Sequence, residues 1–209
     1  MDKRISHAAK RIGGYVVATI ALVVLWALLS KLIGSPALPM PGSAAKQFLN
    51  QLPELLPQAG ISLLRVVAAM LIGTLLGLPL GLIIGRSKKA DTICAPLLYL
   101  LYPIPKVVFL PVLMVLLGLG NAPKIVLIAV VIFFQTMMTA RDSAQSIPEA
   151  SIMSVRSLGA SRRDIAFDVV LPASLPDVFT ALRINTGTAI AILFLAESIA
   201  GTGGLGYYI

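Results

Sequence analysis

Apolar residues fall in five long runs, near 13–29, 60–85, 92–119, 124–139 and 176–200, with polar residues gathered between them. About 20 apolar residues wound as a helix cross the hydrocarbon of a bilayer. The pattern therefore predicts an all-α polytopic transmembrane helix bundle with five visible spans. Residues 1–209 read as a single transmembrane domain whose longest polar stretch is about 140–175.

Lys3, Arg4, Lys10 and Arg11 precede the first run. That run is long for a signal peptide and no Ala-x-Ala site follows it, so it reads as a retained first span. Residues 34–58 carry Pro36, Pro39, Pro41, Gly42, Pro53 and Pro57 and read as a loop, within which Ser43 to Leu56 has the pattern of a short amphipathic helix. In the second run Gly73, Gly77, Gly81 and Gly85 recur every four residues, a face without side chains on which another helix can pack closely. Pro96, Pro103, Pro105 and Pro111 interrupt the third run. Such a break can line a pathway or simply kink a packed helix. "GLGNAP" at 118–123 reads as a tight turn before the fourth run.

Composition narrows the class. Hydrophobic residues make up 57% of the chain and charged residues 12%, too few to cover a water-facing surface. The net charge of +8 would suggest nucleic acid in a soluble protein. Here the cations sit in particular loops, which points to membrane orientation and to lipid, not nucleic acid, as the partner. If the spans alternate, the N-terminal arm, Arg86, Lys88 and Lys89, and Arg141, Arg156, Arg162 and Arg163 share one side, while Lys31, Lys46 and Lys124 fall on the other. The N-terminus and the 140–175 segment are then cytoplasmic. Five spans leave the C-terminus outside with no basic tail, so one further helix is expected but absent from these residues.

Cys94 and His7 are the sole cysteine and histidine. They exclude an intrachain disulfide and a Cys/His metal site. No nucleophile–base pair or metal cluster suggests an enzyme. No G-x-x-x-x-G-K-[ST] loop cradles a nucleotide; "GTGGLG" at 201–206 fits G-x-G-x-x-G only literally, since it follows a membrane helix and not a strand.

The 140–175 segment carries its own punctuation. Ser146-Ile147-Pro148-Glu149 reads as a capping box, with Pro in the first turn of a helix ending near Leu158. Ile152, Val155 and Leu158 recur on one face, and Gly159 is placed to close the helix. Ser161 to Asp164 offers a second cap before Ile165 and Val169, Leu171-Pro172 a stop, and Ser174 to Asp177 a third cap opening the fifth span. A rigid hairpin joined to a span can pass force to it; a basic hairpin can also rest on anionic headgroups.

The same residues resemble a family. Inner-membrane permeases of binding-protein-dependent ABC importers carry a cytoplasmic loop E-A-A-x-x-x-G-x9-I-x-L-P. Here Gly159, nine residues, and Val169-Val170-Leu171-Pro172 match its second half with Val for Ile, while Met153-Ser154-Val155 replaces Glu-Ala-Ala. "SLLRV" (62–66), "GLPLGLIIG" (77–85), "YPIPKVVFLPVL" (102–113), "RSLGAS" (156–161), "LPASLP" (171–176), "ALRI" (181–184), "AES" (196–198) and "GLGYYI" (204–209) are similar to the nitrate/sulfonate/taurine branch.

The resemblance implies a type I importer permease of usually six spans in the inner membrane. It implies a partner ABC ATPase that holds ATP and Mg, with no cofactor in this chain. It also implies a second permease copy, normally as a homodimer, and a periplasmic or lipid-anchored binding protein that delivers a small solute. Glu149, Ile152, Met153, Val155, Arg156, Leu158, Gly159, Ala160, Arg162, Leu171 and Pro172 would form the ATPase-coupling surface. The alternative class is a self-sufficient secondary transporter or channel, which needs coupling carboxylates at mid-membrane; the spans offer only Glu197, near an end.

Ionisable groups in spans are costly and face a partner or water. Arg65, Arg183 and Glu197 qualify as pathway candidates, and Gln135, Asn185, Thr186 and Thr188 could join them. Structural ion pairs, snorkelling and interhelical hydrogen bonds explain the same residues.

Overall fold

The computed structural model describes residues 2–201 and 203–208. The side chains of residues 2–12 and 200 lie outside the described set, and with them Lys3, Arg4, His7, Lys10 and Arg11. Every described element is helical: α1 (Asp2–Ile33), α2 (Pro41–Arg86), α3 (Lys88–Leu101), a 3₁₀ turn (Lys106–Phe109), α4 (Leu110–Leu117), α5 (Asn121–Ser146), α6 (Glu149–Ser157), α7 (Arg162–Asp164), a π-type turn (Ile165–Val170), α8 (Leu171–Ala200) and α9 (Leu205–Tyr208). The chain divides into two compact units, Met1–Leu56 and Pro57–Ile209.

In the first unit α1 is exposed along almost all its apolar length, as lipid-facing helices are. Gly34 leaves it at φ 60. The chain then folds back: Trp26 Nε1 donates to Pro39 O at 3.1 Å and the Ser30 hydroxyl to Leu38 O at 2.8 Å. The loop expected over 34–58 is therefore short. Helix resumes at Pro41 and runs through Pro53 and Pro57, because apolar flanks favour helix and membrane helices tolerate proline.

In the second unit α2, α5 and α8 share one core of Val66, Ala69, Ile128, Ala129, Ile132, Ala189 and Leu193. The glycine face of α2 lies on α5. A Cβ at Gly73 would come 2.7 Å from Ala129 O, and one at Gly77 2.7 Å from Phe133 O; at Gly81 and Gly85 it would strike Met137 O and Arg141 O. Each step of four on α2 meets a step of four on α5, so the two backbones approach to a distance only glycine permits.

Among the described residues four helices are long and apolar enough to cross a membrane: Gly13–Ile33, Pro41–Arg86, Asn121–Ser146 and Arg162–Ile199. The third expected span is a pair, Lys88–Leu101 and Lys106–Leu117, bent by 78° where Pro103 and Pro105 leave no backbone donors. Counted as one crossing it brings the total to five, and no sixth lies among the described residues.

Three local expectations are corrected. The 140–175 segment is not polar loop at either end, since α5 continues to Ser146 with Ala140, Arg141, Ser143 and Ala144 buried. Ser146 therefore cannot cap α6: its hydroxyl donates to Ser143 O at 2.8 Å, and Pro148 stands at the N-cap without a side-chain bond. Leu171-Pro172 is not a stop, nor Ser174 a cap, because the π-type turn runs directly into α8. A wider turn just before Pro172 relieves the clash its ring would make with the preceding turn.

Candidate functional site

Three places bring functional side chains together. At the Arg86 end of α2, α6 is clamped to the bundle. Arg86 donates to Glu149 at 2.9 Å and to Ala144 O at 3.3 Å. Ile152 is buried with Ala144, Ile165 and Val170, and Leu82, Ile147, Ala160 and Val169 pack around them. Gly159 turns the chain at φ 91. The next turn closes with a reciprocal cap: Ser161 N donates to Asp164 at 2.8 Å and Asp164 N to the Ser161 hydroxyl at 3.3 Å.

Outward, Met153, Leu158 and Phe167 are exposed apolar side chains; Leu158 is 88% exposed. The expected face of Ile152, Val155 and Leu158 is thus split, because the helix ends at Ser157 and Leu158 swings out beside Gly159. Exposed Arg156 and Arg162 stand beside them, and an open groove of about 460 Å³ separates α6 from the end of α2. Leu171 and Pro172 lie in the first turn of α8. Two more ties brace this end: the Ser143 hydroxyl donates to Asp177 at 2.6 Å, and Arg141 donates to Asp91 at 2.5 Å and to Tyr99 at 3.3 Å.

At the opposite end lies a buried charge network. Arg65 Nη1 donates to Glu197 at 2.6 Å and to Gly203 O at 2.9 Å, while its Nε and Nη2 donate to Asn121 Oδ1. Glu197 also accepts from the Ser62 hydroxyl and from Gly206 N. Gln58 and Ser62 receive Gly204 N and Leu205 N. Residues 203–206 are therefore tied to α2 and α8, and Gly204 and Gly206 leave no room for a Cβ against Glu197. Lys124, fully buried, is close enough to feel both charges.

Between these ends lies the bend after α3. Lys106 faces the Tyr102 and Phe134 rings there, and Gln135 lines the same hollow.

Of the pathway candidates, Arg65 and Glu197 are brought together. Gln135 lies elsewhere, at the bend; Arg183 is exposed on α8; Asn185 is buried with its Nδ2 unpartnered. Sequence reasoning passed over Lys106, Lys124, Ser62, Asn121 and the Asp91–Arg141 pair. For the two lysines the signal was present: each is an ionisable residue in or beside an apolar run, the criterion that singled out Arg65.

Comparison with known proteins places this architecture. The model of the binding-protein-dependent transport system inner membrane component family matches residues 77–209. The chain belongs to that family, as the loop motif implied. It is 36% identical over 148 residues to the Escherichia coli taurine transport system permease protein TauC, covering 71% of this chain and 54% of that one. It is 31% identical over 195 residues to an ABC transporter permease protein of Methanocaldococcus jannaschii, covering 90% and 73%. It is 32% identical over 149 residues to the Escherichia coli glycine betaine/proline betaine permease protein ProW, covering 71% and 42%. The chain thus spans about half the length of two of these relatives. Its fold is similar to a chain of the inward-facing MetNI methionine ABC transporter, with TM-score 0.60 and 21% identity over 75% of this chain and 79% of that one.

Proposed function

We propose that residues 1–209 act as one transmembrane permease domain of an ATP-driven importer. A small solute, delivered by a periplasmic or lipid-anchored binding protein, crosses between two copies of the chain, and a separate ABC ATPase supplies the work. The observation that carries this reading is the 149–172 hairpin. It is fixed to α2 by Arg86–Glu149, held by buried Ile152, and continuous through the π-type turn with the membrane helix α8. A partner that pulls on exposed Met153, Leu158, Arg156 and Arg162 moves α8 directly.

In this reading the hairpin and the N-terminus are cytoplasmic, and the arrangement is that of a type I importer permease. Two of the relatives are named for the transport of taurine and of glycine betaine/proline betaine, which supports a small organic solute here. Arg183 and Asn185 on α8 are the pathway residues this reading favours. Arg65 and Glu197 act as structure instead, since each is already satisfied by the other.

The test is co-purification of the permease with its partner ABC ATPase. Gly159→Val, which forces a β-branched residue into a left-handed turn, should abolish co-purification while membrane insertion persists. Retention of the ATPase at wild-type levels in that variant would falsify the docking assignment.

A further inference from the structure

Arg156 and Arg162 are exposed, and among the described residues neither forms an ion pair. Both line the groove of about 460 Å³ at the end of α2, and Arg86 lines it with them. Arg86 gives one N–H to Glu149 and one to Ala144 O. A guanidinium has five, so three remain. No acidic residue lines the groove. Glu149 is engaged by Arg86, and Asp164 closes its own cap at Ser161. Three cations therefore share one hollow with little to neutralise them.

The groove also changes character with depth. Arg86 closes the apolar run of α2, and Lys88 and Lys89 follow it, so this end of the helix lies at a membrane–water boundary. Leu82 and Ile83 line the same groove one turn deeper, about 5 Å along the helix at about 1.5 Å per residue. Ile83 is 61% exposed, so the groove opens sideways to hydrocarbon at that level. Ile165 and Ala166 wall it from the hairpin side. The hollow is thus apolar at depth and cationic at the boundary. A phospholipid has the same order, acyl chain below and phosphate above. A free phosphate ion has nothing to place in the apolar part.

We propose that this groove binds one anionic phospholipid, with its phosphodiester on Arg86, Arg156 and Arg162 and the first carbons of an acyl chain against Ile83 and Ile165. Basic pockets beside membrane helices hold anionic headgroups in this way. Guanidiniums suit the task, since their paired N–H groups meet two phosphate oxygens at once. The bound phosphate bridges α2 to the 149–170 hairpin and reinforces the water-exposed Arg86–Glu149 tie. Arg156 and Arg162 have enough N–H groups to serve both this groove and an outward partner. The inference needs only the membrane boundary at Arg86, not the docking of an ATPase, so the two fail separately.

The experiment uses the full chain purified in a neutral detergent. It is titrated with phosphatidylglycerol or phosphatidylcholine of matched acyl chains, and bound lipid is read by native mass spectrometry. Phosphatidylglycerol should bind at least about tenfold more tightly, since each cation near a headgroup contributes about fivefold. The double variant Arg156→Gln/Arg162→Gln should lose about tenfold or more of that affinity and leave phosphatidylcholine unchanged. Lys88→Gln/Lys89→Gln removes the same charge from outside the groove and should cost less than about threefold. Ala166→Trp fills the groove without altering a charge and should weaken phosphatidylglycerol by about tenfold. Millimolar inorganic phosphate should not displace the lipid.

Four results overturn the proposal. Equal binding of the two lipids would remove the charge preference. A loss in the arginine pair no greater than in the lysine pair would mean diffuse attraction to a basic surface. Unchanged affinity in a folded Ala166→Trp protein would place the lipid elsewhere. Displacement by inorganic phosphate would mark a free-anion site. Arg156 and Arg162 are exposed and unpaired within the described residues, so their replacement leaves the fold intact. Should Ala166→Trp fail to fold, the comparison of the arginine and lysine pairs decides.

Discussion

Arg65 and Glu197 form an ion pair at 2.6 Å with both side chains almost fully buried, across 132 positions of sequence. Each has further partners: Asn121 and Gly203 O for the guanidinium, Ser62 and Gly206 N for the carboxylate. Satisfying every donor and acceptor is what makes such a pair tolerable in a dry interior. Removing one member strands the other charge and should cost about 3–5 kcal/mol. Arg65→Met and Glu197→Leu should each lower the thermal unfolding midpoint of the purified protein sharply, and the double variant should recover much of the loss. Strictly additive losses would show that the two charges do not depend on each other.

The α2–α5 seam has no slack at Gly81, where a methyl group would strike Met137 O and lie 2.7 Å from Ala140 Cβ. Gly81→Ala should destabilise by about 1–3 kcal/mol through overpacking. Gly60 lies on the same helix with open space around it. Gly60→Ala should be neutral or stabilise by up to about 1 kcal/mol, because it removes only a helix-weakening glycine. Chemical unfolding of the two variants in one detergent separates the packing effect from the propensity effect.

Leu158 touches little within the chain, so Leu158→Asp should change stability by no more than about 0.5 kcal/mol. If the ATPase seats on this face, the same change should reduce ATPase co-purification about tenfold, the loss of one apolar anchor. Glu149→Gln should cost less than about 1 kcal/mol in stability, since the Arg86 pair is open to water on the glutamate side. An unfolded Leu158→Asp protein would contradict the exposed placement of this residue.

Asp91 anchors α3 to α5 through Arg141, which keeps a second carboxylate at Asp142, 2.9 Å away. Asp91→Asn should therefore cost only about 1–3 kcal/mol, the worth of a charged hydrogen bond. Hydrogen exchange should quicken in α3 and remain unchanged along the α2–α5 seam. Equal acceleration in both would mean that Arg141 braces the whole bundle.

Much of the fold was legible in the chain because its signals are local. Runs of apolar residues marked the four membrane helices and the bent pair between them, Pro103 and Pro105 marked the bend, and Gly159 marked the turn. Where two local signals competed, position in sequence could not rank them. Ser146 has the right spacing for a cap, but burial of Ala140, Arg141, Ser143 and Ala144 extends α5 through it. Pro172 looks like a stop, but the π-type turn before it lets the helix continue.

The glycine spacing of four determined by itself that one face of α2 could accept a backbone, since helical period and the missing Cβ are properties of the sequence alone. That α5 fills this face, that Arg65 meets Glu197, and that Lys106 stands beside Gln135 were decided only by tertiary structure. Those pairings depend on how helices distant in sequence are set in register by packing, and no local spacing encodes that register.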